Sequence, residues 1–237
     1  MRKGVLTAIF VFCLVSFPSF AQTHIDLRSS QISTSSFAKE VGSTIWFNPS
    51  TVAEGYGIFG LSVSVSISSI DVNNGRWTTF AGLNTGSNIY ETAITVRKGI
   101  TDKLSLGFRL SDYSDINANS WGLEAKYVFL KGSALMPAVS GRVTYTKLTD
   151  AGILDASTLS VGIMVSKGFL NFTPYCGAAL VRSDIDVKAE NWGFSKTETS
   201  GQLYAGVRVS FLPMISLTGE ISTGEITKYS VRAGIRF

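Results

Sequence analysis

The sequence has very few of the side chains that most often build catalytic and metal sites. It contains one histidine, His24, and two cysteines, Cys13 and Cys176, among 237 residues. A Ser-His-acid constellation needs its base within hydrogen-bond reach of the nucleophile, and His24 lies outside every strand predicted below. One histidine and one remaining cysteine cannot supply a usual zinc ligand set. The sequence therefore predicts a protein that is not an enzyme and that holds no metal or cofactor.

Carboxylates could still bind a divalent cation. Asp184, Asp186 and Glu190 fall close together in a polar stretch in the C-terminal third of the chain. We interpret this stretch as a solvated loop rather than a cation site. No phosphate-cradling glycine motif is present, and we interpret the glycines as strand kinks and turns.

Long apolar runs are lacking beyond the N-terminus, although 45% of the residues are hydrophobic. The first residues combine Arg2 and Lys3 with an apolar run over 5–15 and a small-x-small site at Ser19–Ala21. This pattern predicts a signal peptide over residues 1–21, cleaved after Ala21. A membrane anchor is the alternative, but the run falls short of the ~20 residues that a spanning helix needs.

Export would leave 216 residues (237 − 21), the size of one all-β barrel domain. Cys13 would leave with the signal peptide, so Cys176 would have no intramolecular disulfide partner.

Charge is also sparse, since 16% of residues are charged and the formal net charge is +4. There is no run of Lys and Arg, and we therefore predict no nucleic-acid partner.

From Gly57 onward, apolar and polar side chains alternate along the chain. Successive side chains of a strand point to opposite faces, so each such stretch has one apolar and one polar face. The first stretch begins at Gly57, with Phe59, Leu61, Val63, Val65 and Ile67 on its apolar face. The pattern recurs at roughly residues 88–100, 104–111, 119–130, 137–148, 157–168, 172–181, 199–212, 215–222 and 228–237.

The connections between these stretches alternate in length. Longer polar connections cover 71–87, 112–118, 149–156 and 182–198, and short ones cover 101–103, 131–136, 169–171 and 212–214. Long loops on one side and short turns on the other are typical of outer-membrane barrels. We predict an all-β, transmembrane, antiparallel up-and-down β-barrel of about ten strands over residues 57–237, with eight or twelve strands as alternatives.

The last strand, Lys228–Phe237, is amphipathic and ends in an aromatic residue. Its apolar face includes Tyr229, Val231, Ile235 and Phe237. This end resembles the closing strand of bacterial outer-membrane β-barrels, and residues 48–60 and 166–175 are similar to segments of uncharacterised proteins of that kind. The chain thus resembles the small, porin-like outer-membrane β-barrel proteins of Gram-negative bacteria. The resemblance implies a place in the cell outer membrane, contact with lipid and lipopolysaccharide, and a C-terminal signal for the barrel-assembly machinery.

The polar face of the predicted strands is rich in Ser, Thr and Gly and carries few Lys and Glu residues. A solvated exterior is normally more charged, so this face is assigned to the barrel interior. A soluble secreted ligand-binding β-barrel is the alternative, with the two faces exchanged. On the membrane assignment the lumen-lining charges are Glu91, Arg97, Arg109, Glu124, Lys126, Arg142, Arg208, Glu220, Arg232 and Arg236.

Residues 22–56 have no strand pattern and are predicted to form an irregular N-terminal segment. Phe37–Val41 is expected to form a short helical turn capped by Ser35 or Ser36. The segment could plug the barrel, lie at its mouth or hang in the periplasm. Three functions remain open: a structural or surface-interacting barrel, a narrow anion-favouring channel or small-solute transporter, and the soluble ligand-binding barrel.

Overall fold

The computed structural model describes residues 34–133, 135–149, 151–188, 193–212 and 214–237. The predicted signal peptide, His24 and Glu190 lie outside the described residues, and the expectations for them stay predictions. The described helices are α1 (Thr34–Ile45), α2 (Asn74–Ala81) and a 3₁₀ turn (Ser114–Ile116). The ten strands are β1 (Leu61–Asp71), β2 (Asn88–Gly99), β3 (Leu104–Tyr113), β4 (Ala118–Leu130), β5 (Ala138–Thr149), β6 (Leu154–Ser166), β7 (Phe172–Lys188), β8 (Gly193–Ser210), β9 (Ile215–Thr223) and β10 (Thr227–Arg236).

The strands form a closed antiparallel barrel in which each strand pairs with its neighbour in the sequence and β10 pairs with β1. At this seam the Leu61 N–H donates to the Phe237 carbonyl at 3.0 Å, and the Phe237 N–H donates to the Leu61 carbonyl at 2.8 Å. Closure removes the two open edges that a flat sheet would present. The prediction of an up-and-down barrel of about ten strands is confirmed.

The barrel is apolar outside, and much of its interior is polar. On β1, Val63, Val65 and Ile67 are 38%, 48% and 60% exposed, whereas Ser64 and Ser66 between them are at most 5% exposed. The same alternation of exposed apolar and buried polar side chains continues around the ring. A soluble barrel needs the opposite arrangement, so the exterior is suited to lipid and the fold is that of a transmembrane β-barrel.

The two ends of the barrel differ. At the end that we call inner, strands are joined by residues 100–103, 131–137, 167–171 and 211–214, and β1 starts and β10 stops there. At the outer end, the longest connection is 72–87, which contains α2. Helix α2 is capped by Asn73, whose side chain accepts from the Arg76 N–H at 3.2 Å, and ends at Gly82 in the left-handed region with φ 66°.

Several predicted outer connections are wrong because the strands continue through them. β7 extends to Lys188 and β8 starts at Gly193, so most of the predicted connection 182–198 is strand. Polar side chains occupy both faces in this region, including Asp184, Asp186, Lys196 and Glu198. Strands that extend past a lipid-facing belt need no apolar face, and the alternation that identifies a strand is therefore lost.

Helix α1 lies inside the barrel, where it shares an apolar cluster with inward-facing strand residues such as Ile70 and Leu148, and it packs mainly against β7 and β8. Phe37, Val41 and Ile45 are spaced four residues apart, which places them on one side of the helix, and all three are buried. The predicted turn over 37–41 is therefore part of a longer helix that begins at Thr34. Among the described residues, no helix is long and apolar enough to cross a membrane.

Aromatic side chains are typical of the two membrane interfaces of an outer-membrane barrel, and several lie on the exterior near strand ends in this barrel. Tyr90, Trp121 and Tyr229 lie near the outer ends of their strands, and Tyr127, Phe129, Phe172, Phe211 and Phe237 lie near the inner end. Trp77 is not one of these interfacial residues, because its side chain is fully buried and packs edge-on against Phe37 at 5.5 Å between ring centroids. Trp192 lies outside the described residues.

Candidate functional site: the interior of the barrel

The charged residues assigned to the lumen from sequence point inward in the structure. Two side chains, Arg208 and Arg236, lie near the inner mouth and are partly exposed. The remaining eight are at most 6% exposed, namely Glu91, Arg97, Arg109, Glu124, Lys126, Arg142, Glu220 and Arg232. Buried charges need partners, and those partners come both from the wall and from residues 46–56, which we call the luminal segment.

Glu124 forms the centre of the first cluster. Its carboxylate accepts from Arg97 Nε at 2.9 Å and from Arg142 through the other oxygen. Further guanidinium donors reach the luminal segment, because Arg97 donates to the Pro49 carbonyl and Arg142 to the Phe47 carbonyl, each at 3.0 Å. Two strand arginines thus share one carboxylate and hold the backbone of the segment at two positions.

The Phe47 ring lies among three guanidinium groups. The Arg97, Arg109 and Arg142 guanidinium carbons are 5.5, 5.1 and 5.5 Å from the ring centroid. A cation within about 6 Å of an aromatic face is attracted to it, more strongly when both are removed from water. The ring therefore helps to compensate positive charge for which the wall has too few carboxylates.

Asn48 connects the luminal segment to the opposite side of the barrel. Its side-chain oxygen accepts from Arg109 Nη1 at 2.7 Å, and its Nδ2 donates to Glu220 Oε1 at 2.7 Å. Glu220 also accepts from the Ser50 N–H and from the Tyr175 hydroxyl, both at 2.8 Å. These contacts fix both the backbone and the side chains of the segment across the width of the lumen.

A second cluster is centred on Glu91 and contains Lys228, which was not among the predicted lumen residues. Glu91 lies 2.9 Å from Arg109 Nη2 and 2.6 Å from Lys228 Nζ, and it accepts from Ser111 Oγ at 2.8 Å. Lys228 is only 2% exposed. Lys228 is separated from Arg232 and Arg236 by an even number of residues along β10, so all three point to the same face of the strand. This spacing was the signal in the sequence that could have identified it.

The inner part of the luminal segment is held by cations as well. Lys126 Nζ donates to the Val52 and Glu54 carbonyls at 3.0 and 2.8 Å, and Arg236 Nη2 donates to the Gly55 carbonyl at 2.8 Å. Both cations also approach the Tyr56 ring, at 4.7 and 5.0 Å from its centroid. The segment is therefore attached to the wall by backbone and ring contacts at its inner end.

Tyr56 precedes the first strand and lies in a strongly positive environment. Burial of the phenol raises its pKa, but the positive charges of Lys126, Arg97 and Arg232 and the hydrogen bond to Thr51 outweigh burial and lower the pKa to about 7. The hydroxyl lies 3.1 Å from Thr51 Oγ1. The surrounding cations therefore favour the deprotonated form of Tyr56.

The interior has a clear electrostatic character. The eight wall cations named in these clusters and at the inner mouth outnumber the three wall carboxylates, giving +5 (8 − 3). The luminal segment carries one formal charge, Glu54, which lies 3.4 Å from Arg208 Nη2. Six backbone carbonyls of the segment, at 47, 49, 50, 52, 54 and 55, accept hydrogen bonds from wall Arg and Lys residues. Neutral carbonyl oxygens thus take the place that additional anions would otherwise occupy.

The carboxylates considered for a divalent cation have other contacts. Asp184 accepts from Thr197 Oγ1 at 2.6 Å, and Asp186 lies 3.5 Å from Lys188 Nζ. Within the described ranges no group of three or more His, Cys, Asp or Glu side chains is arranged to hold a metal ion.

The C-terminal residues Tyr229, Val231, Ile235 and Phe237 are exposed on the exterior, and their predicted role in assembly stays a prediction.

The closed ten-stranded ring, its apolar exterior and its charged interior define the class of the protein. It is a small outer-membrane β-barrel. No family model and no curated protein matches the chain.

Solved barrel structures are similar to it at low sequence identity. The KdgM porin is 8% identical, with 74% of this chain and 99% of that chain covered and a TM-score of 0.42. The translocator domain of the autotransporter NalP from Neisseria meningitidis is 14% identical, with 85% and 93% covered and a TM-score of 0.42. The N-terminal barrel domain of Pseudomonas aeruginosa OprF is 14% identical, with 76% and 99% covered and a TM-score of 0.37.

Proposed function

We propose that this protein is a non-enzymatic barrel of the outer membrane whose lumen is closed by its own chain, and that it acts structurally or through its outer surface. The observation that carries the proposal is the luminal segment, whose backbone and side chains are bonded to the wall from Trp46 to Gly55. A ten-stranded barrel has a narrow interior, since water-filled channels appear at about 16–18 strands. A segment held across this narrow interior by so many contacts closes the path for solutes.

Conductance in planar lipid bilayers tests this proposal. The intact protein, purified in detergent and shown to be folded by a mobility change on boiling, should insert without producing current steps. Stable current steps from the intact protein would contradict a closed lumen. An open porin reconstituted in the same way serves as the positive control.

A narrow, anion-favouring channel is the second candidate, and the positive charge of the wall favours it. Loss of the contacts between the luminal segment and the wall would expose arginines and lysines that attract anions. A variant lacking residues 34–56 should then conduct with a reversal potential that favours anions. A folded variant that remains silent would exclude the channel and leave the closed barrel. Folding of this variant is checked by its mobility on boiling.

A cross-link gives a second test that does not depend on the deletion. Ser43 and Gln202 are joined by a hydrogen bond of 2.8 Å between helix α1 and β8. Because the glutamine side chain fills part of the distance between the two backbones, cysteines at both positions are joined in a Cys176→Ala background by a short, reducible bis-methanethiosulfonate cross-linker. If the protein opens by movement of its N-terminal segment, cross-linking should abolish any conductance and reduction should restore it. Equal conductance in the cross-linked and reduced states would exclude such movement.

Export and partners complete the proposal. We infer cleavage of a signal peptide after Ala21, contact of the apolar exterior with outer-membrane lipid and lipopolysaccharide, and recognition of the last strand by the barrel-assembly machinery. N-terminal sequencing of the mature protein tests the cleavage site, and a first residue other than Gln22 would contradict it.

A further inference from the structure

The outer part of β8 extends past its neighbour on one side. β8 pairs with β7 from Gly193 to Val209. On its other side β8 pairs with β9, which ends at Thr223, opposite Leu203. Among the described strands, residues 193–202 of β8 therefore have a partner on one side only, and we call this part of β8 the open edge.

The backbone groups on the open edge follow from the hydrogen-bond pattern of an antiparallel sheet. Successive residues of such a strand direct their N–H and C=O groups to alternate neighbours. The Ser210 N–H donates to the Asn171 carbonyl on the β7 side at 2.7 Å, so the odd-numbered residues of β8 face the β9 side. Ser195, Thr197 and Thr199 therefore direct six backbone groups (3 × 2) to the open edge, and no hydrogen bond joins these groups to a described residue.

The open edge lies in water, and its sequence suits a strand. The outermost large apolar side chains that are exposed in the described parts of β7 and β8 are Leu180 and Leu203, so the edge lies beyond the lipid-facing belt. Threonine favours strands, and the side chains of Ser195, Thr197 and Thr199 are exposed. An open edge of this kind is a template for pairing with a further strand.

The open edge is complementary in charge to a second copy of itself. Lys196 and Glu198 flank Thr197. When two copies of β8 pair in the antiparallel direction with their Thr197 residues opposite each other, Lys196 of each copy lies opposite Glu198 of the other. Opposite charges directly across a sheet stabilise the pairing. Glu198 keeps a second carboxylate oxygen for this contact, since Ser35 Oγ donates to its Oε1.

The charges also select one register. Ser195, Thr197 and Thr199 have to lie opposite one another, because they carry the backbone groups that face the edge. If Thr197 lay opposite Ser195 of the other copy, the two Lys196 side chains would be opposed. If Thr197 lay opposite Thr199, the two Glu198 side chains would be opposed. Like charges directly opposite each other destabilise a sheet, so the register centred on Thr197 is favoured.

Two copies that pair in this way lie in membranes that face each other. β8 runs from the outer to the inner end of the barrel, and barrel strands are tilted by about 35–45° from the barrel axis. In a single membrane, two copies of β8 therefore cross at about a right angle at most and cannot become antiparallel. Short turns of outer-membrane barrels face the periplasm, so the inner end of this barrel faces the periplasm and the open edge faces the cell exterior.

We propose that the open edge is a homophilic contact site, at which this protein pairs with a second copy in a facing outer membrane. The inference rests on the proposed function at the outer surface and supplies a partner for it. A single contact is short, since about nine paired residues span about 30 Å. Many copies between two membranes act together, and this multivalency strengthens the contact without any new interaction in each pair.

Pairing of lipid nanodiscs tests this proposal, because a disc exposes both faces of the barrel. Each disc holds one copy, and sedimentation velocity measures the fraction of paired discs at increasing concentration. The variants are Lys196→Glu, Glu198→Lys and the two substitutions combined, each shown to be folded by its mobility change on boiling. Lys147→Glu is the matched control, because Lys147 is an exposed cation near the outer end of β5 and lies away from the open edge. Empty discs report any pairing by lipid alone.

The proposal predicts that discs with the unsubstituted protein pair and that discs with Lys147→Glu pair equally well. Lys196→Glu or Glu198→Lys alone should weaken pairing by about tenfold or more, because both opposed positions then carry like charges. Mixing discs of the two single variants should restore pairing, since each Glu then lies opposite a Lys. The combined variant should pair with itself for the same reason.

Three results would overturn the proposal. Unsubstituted discs that remain single at every concentration at which empty discs do so would refute the homophilic site. Pairing that neither single substitution weakens would refute the register, and so would weakened pairing that mixing does not restore. None of these results bears on the closed lumen, because conductance tests the lumen and does not depend on pairing.

Discussion

The ion pairs around Glu124 allow a quantitative prediction. Glu124→Gln keeps the shape of the side chain and removes the carboxylate that contacts both Arg97 and Arg142. Both arginines are almost fully buried. The substitution therefore leaves two guanidinium groups inside the barrel without their anion.

The expected loss of stability follows from the partners that remain. Breaking a buried ion pair from one side costs about 3–5 kcal/mol, because the remaining charge stays buried without its partner. Arg97 retains the Pro49 carbonyl as an acceptor and Arg142 retains the Phe47 carbonyl, which offsets part of the loss. We therefore expect a value near the lower limit, about 3 kcal/mol, which corresponds to roughly a 100-fold change in the folding equilibrium constant.

Urea unfolding in detergent micelles measures this effect, with the heat-dependent gel mobility reporting the folded fraction. The free energy of unfolding falls linearly with urea concentration, so the shift of the midpoint gives the change in stability. Asp102→Asn is the matched control, because Asp102 and Lys131 form an exposed ion pair at 3.2 Å with side chains 65% and 56% exposed. An exposed pair of this kind contributes about 0–1 kcal/mol.

A second substitution shows whether the cost comes from uncompensated charge. Combining Glu124→Gln with Arg142→Met removes one of the two stranded cations, and more than half of the lost stability should return. If Glu124→Gln changes stability by no more than Asp102→Asn does, the interior charges are solvated and our account of the lumen is incorrect.

Three further predictions concern the exterior, the pH dependence and the C-terminus. Val161→Arg, in the middle of β6, should destabilise the barrel in lipid by about 2–4 kcal/mol, whereas Ile235→Arg near the inner end should cost about 0–1 kcal/mol, as measured by urea unfolding in vesicles. Because folding lowers the pKa of Tyr56, its ionisation adds to the stability of the fold; this contribution is complete above pH 10 and is lost as pH falls through about 7. Between pH 7 and pH 10 the urea midpoint should therefore rise less in Tyr56→Phe than in the unsubstituted protein. Deletion of Phe237 should lower the yield of folded barrel in the outer membrane, measured by fractionation and gel mobility.

Each of these predictions has a contradicting result. Equal costs at Val161 and Ile235 would mean that the exterior does not cross a bilayer. Near-ultraviolet absorption that shows no tyrosinate formation near pH 7 in the unsubstituted protein would contradict the account of Tyr56. Unchanged assembly after deletion of Phe237, at an expression level equal to that of the full-length protein, would remove the proposed role of the last residue.

The barrel could be predicted from sequence because its strands carry a strict alternation. The serines that separate Val63, Val65 and Ile67 on β1 make the inner and outer faces distinguishable without any structure. The same pattern failed at the start of β8, where Lys196 and Glu198 lie beyond the lipid-facing belt and no apolar face is required. The presence of the strands could thus be predicted from sequence. The ends of the strands could be predicted only where contact with lipid imposes the alternation of apolar and polar side chains.

The content of the lumen was only partly predictable. The alternation of side chains between the two faces of each strand identified most of the wall charges, since a charged side chain on the polar face has to point inward. It could not show that Phe47 lies among three arginines that are distant from it along the chain. Nor could it show that backbone carbonyls would compensate those arginines, because every residue has a carbonyl and its partners depend on the fold alone.

The seam between β1 and β10 has a consequence for how the protein folds. Leu61 and Phe237 form mutual backbone hydrogen bonds across a separation of 176 residues (237 − 61). The ring can close only when the entire chain is present, because its seam joins the two strands that are most distant along the chain. Such non-local pairing slows folding, and any chain that stops before β10 exposes two unpaired strand edges. Synthesis must therefore finish before the barrel can mature, and until then the unpaired edges of the unfinished sheet favour aggregation.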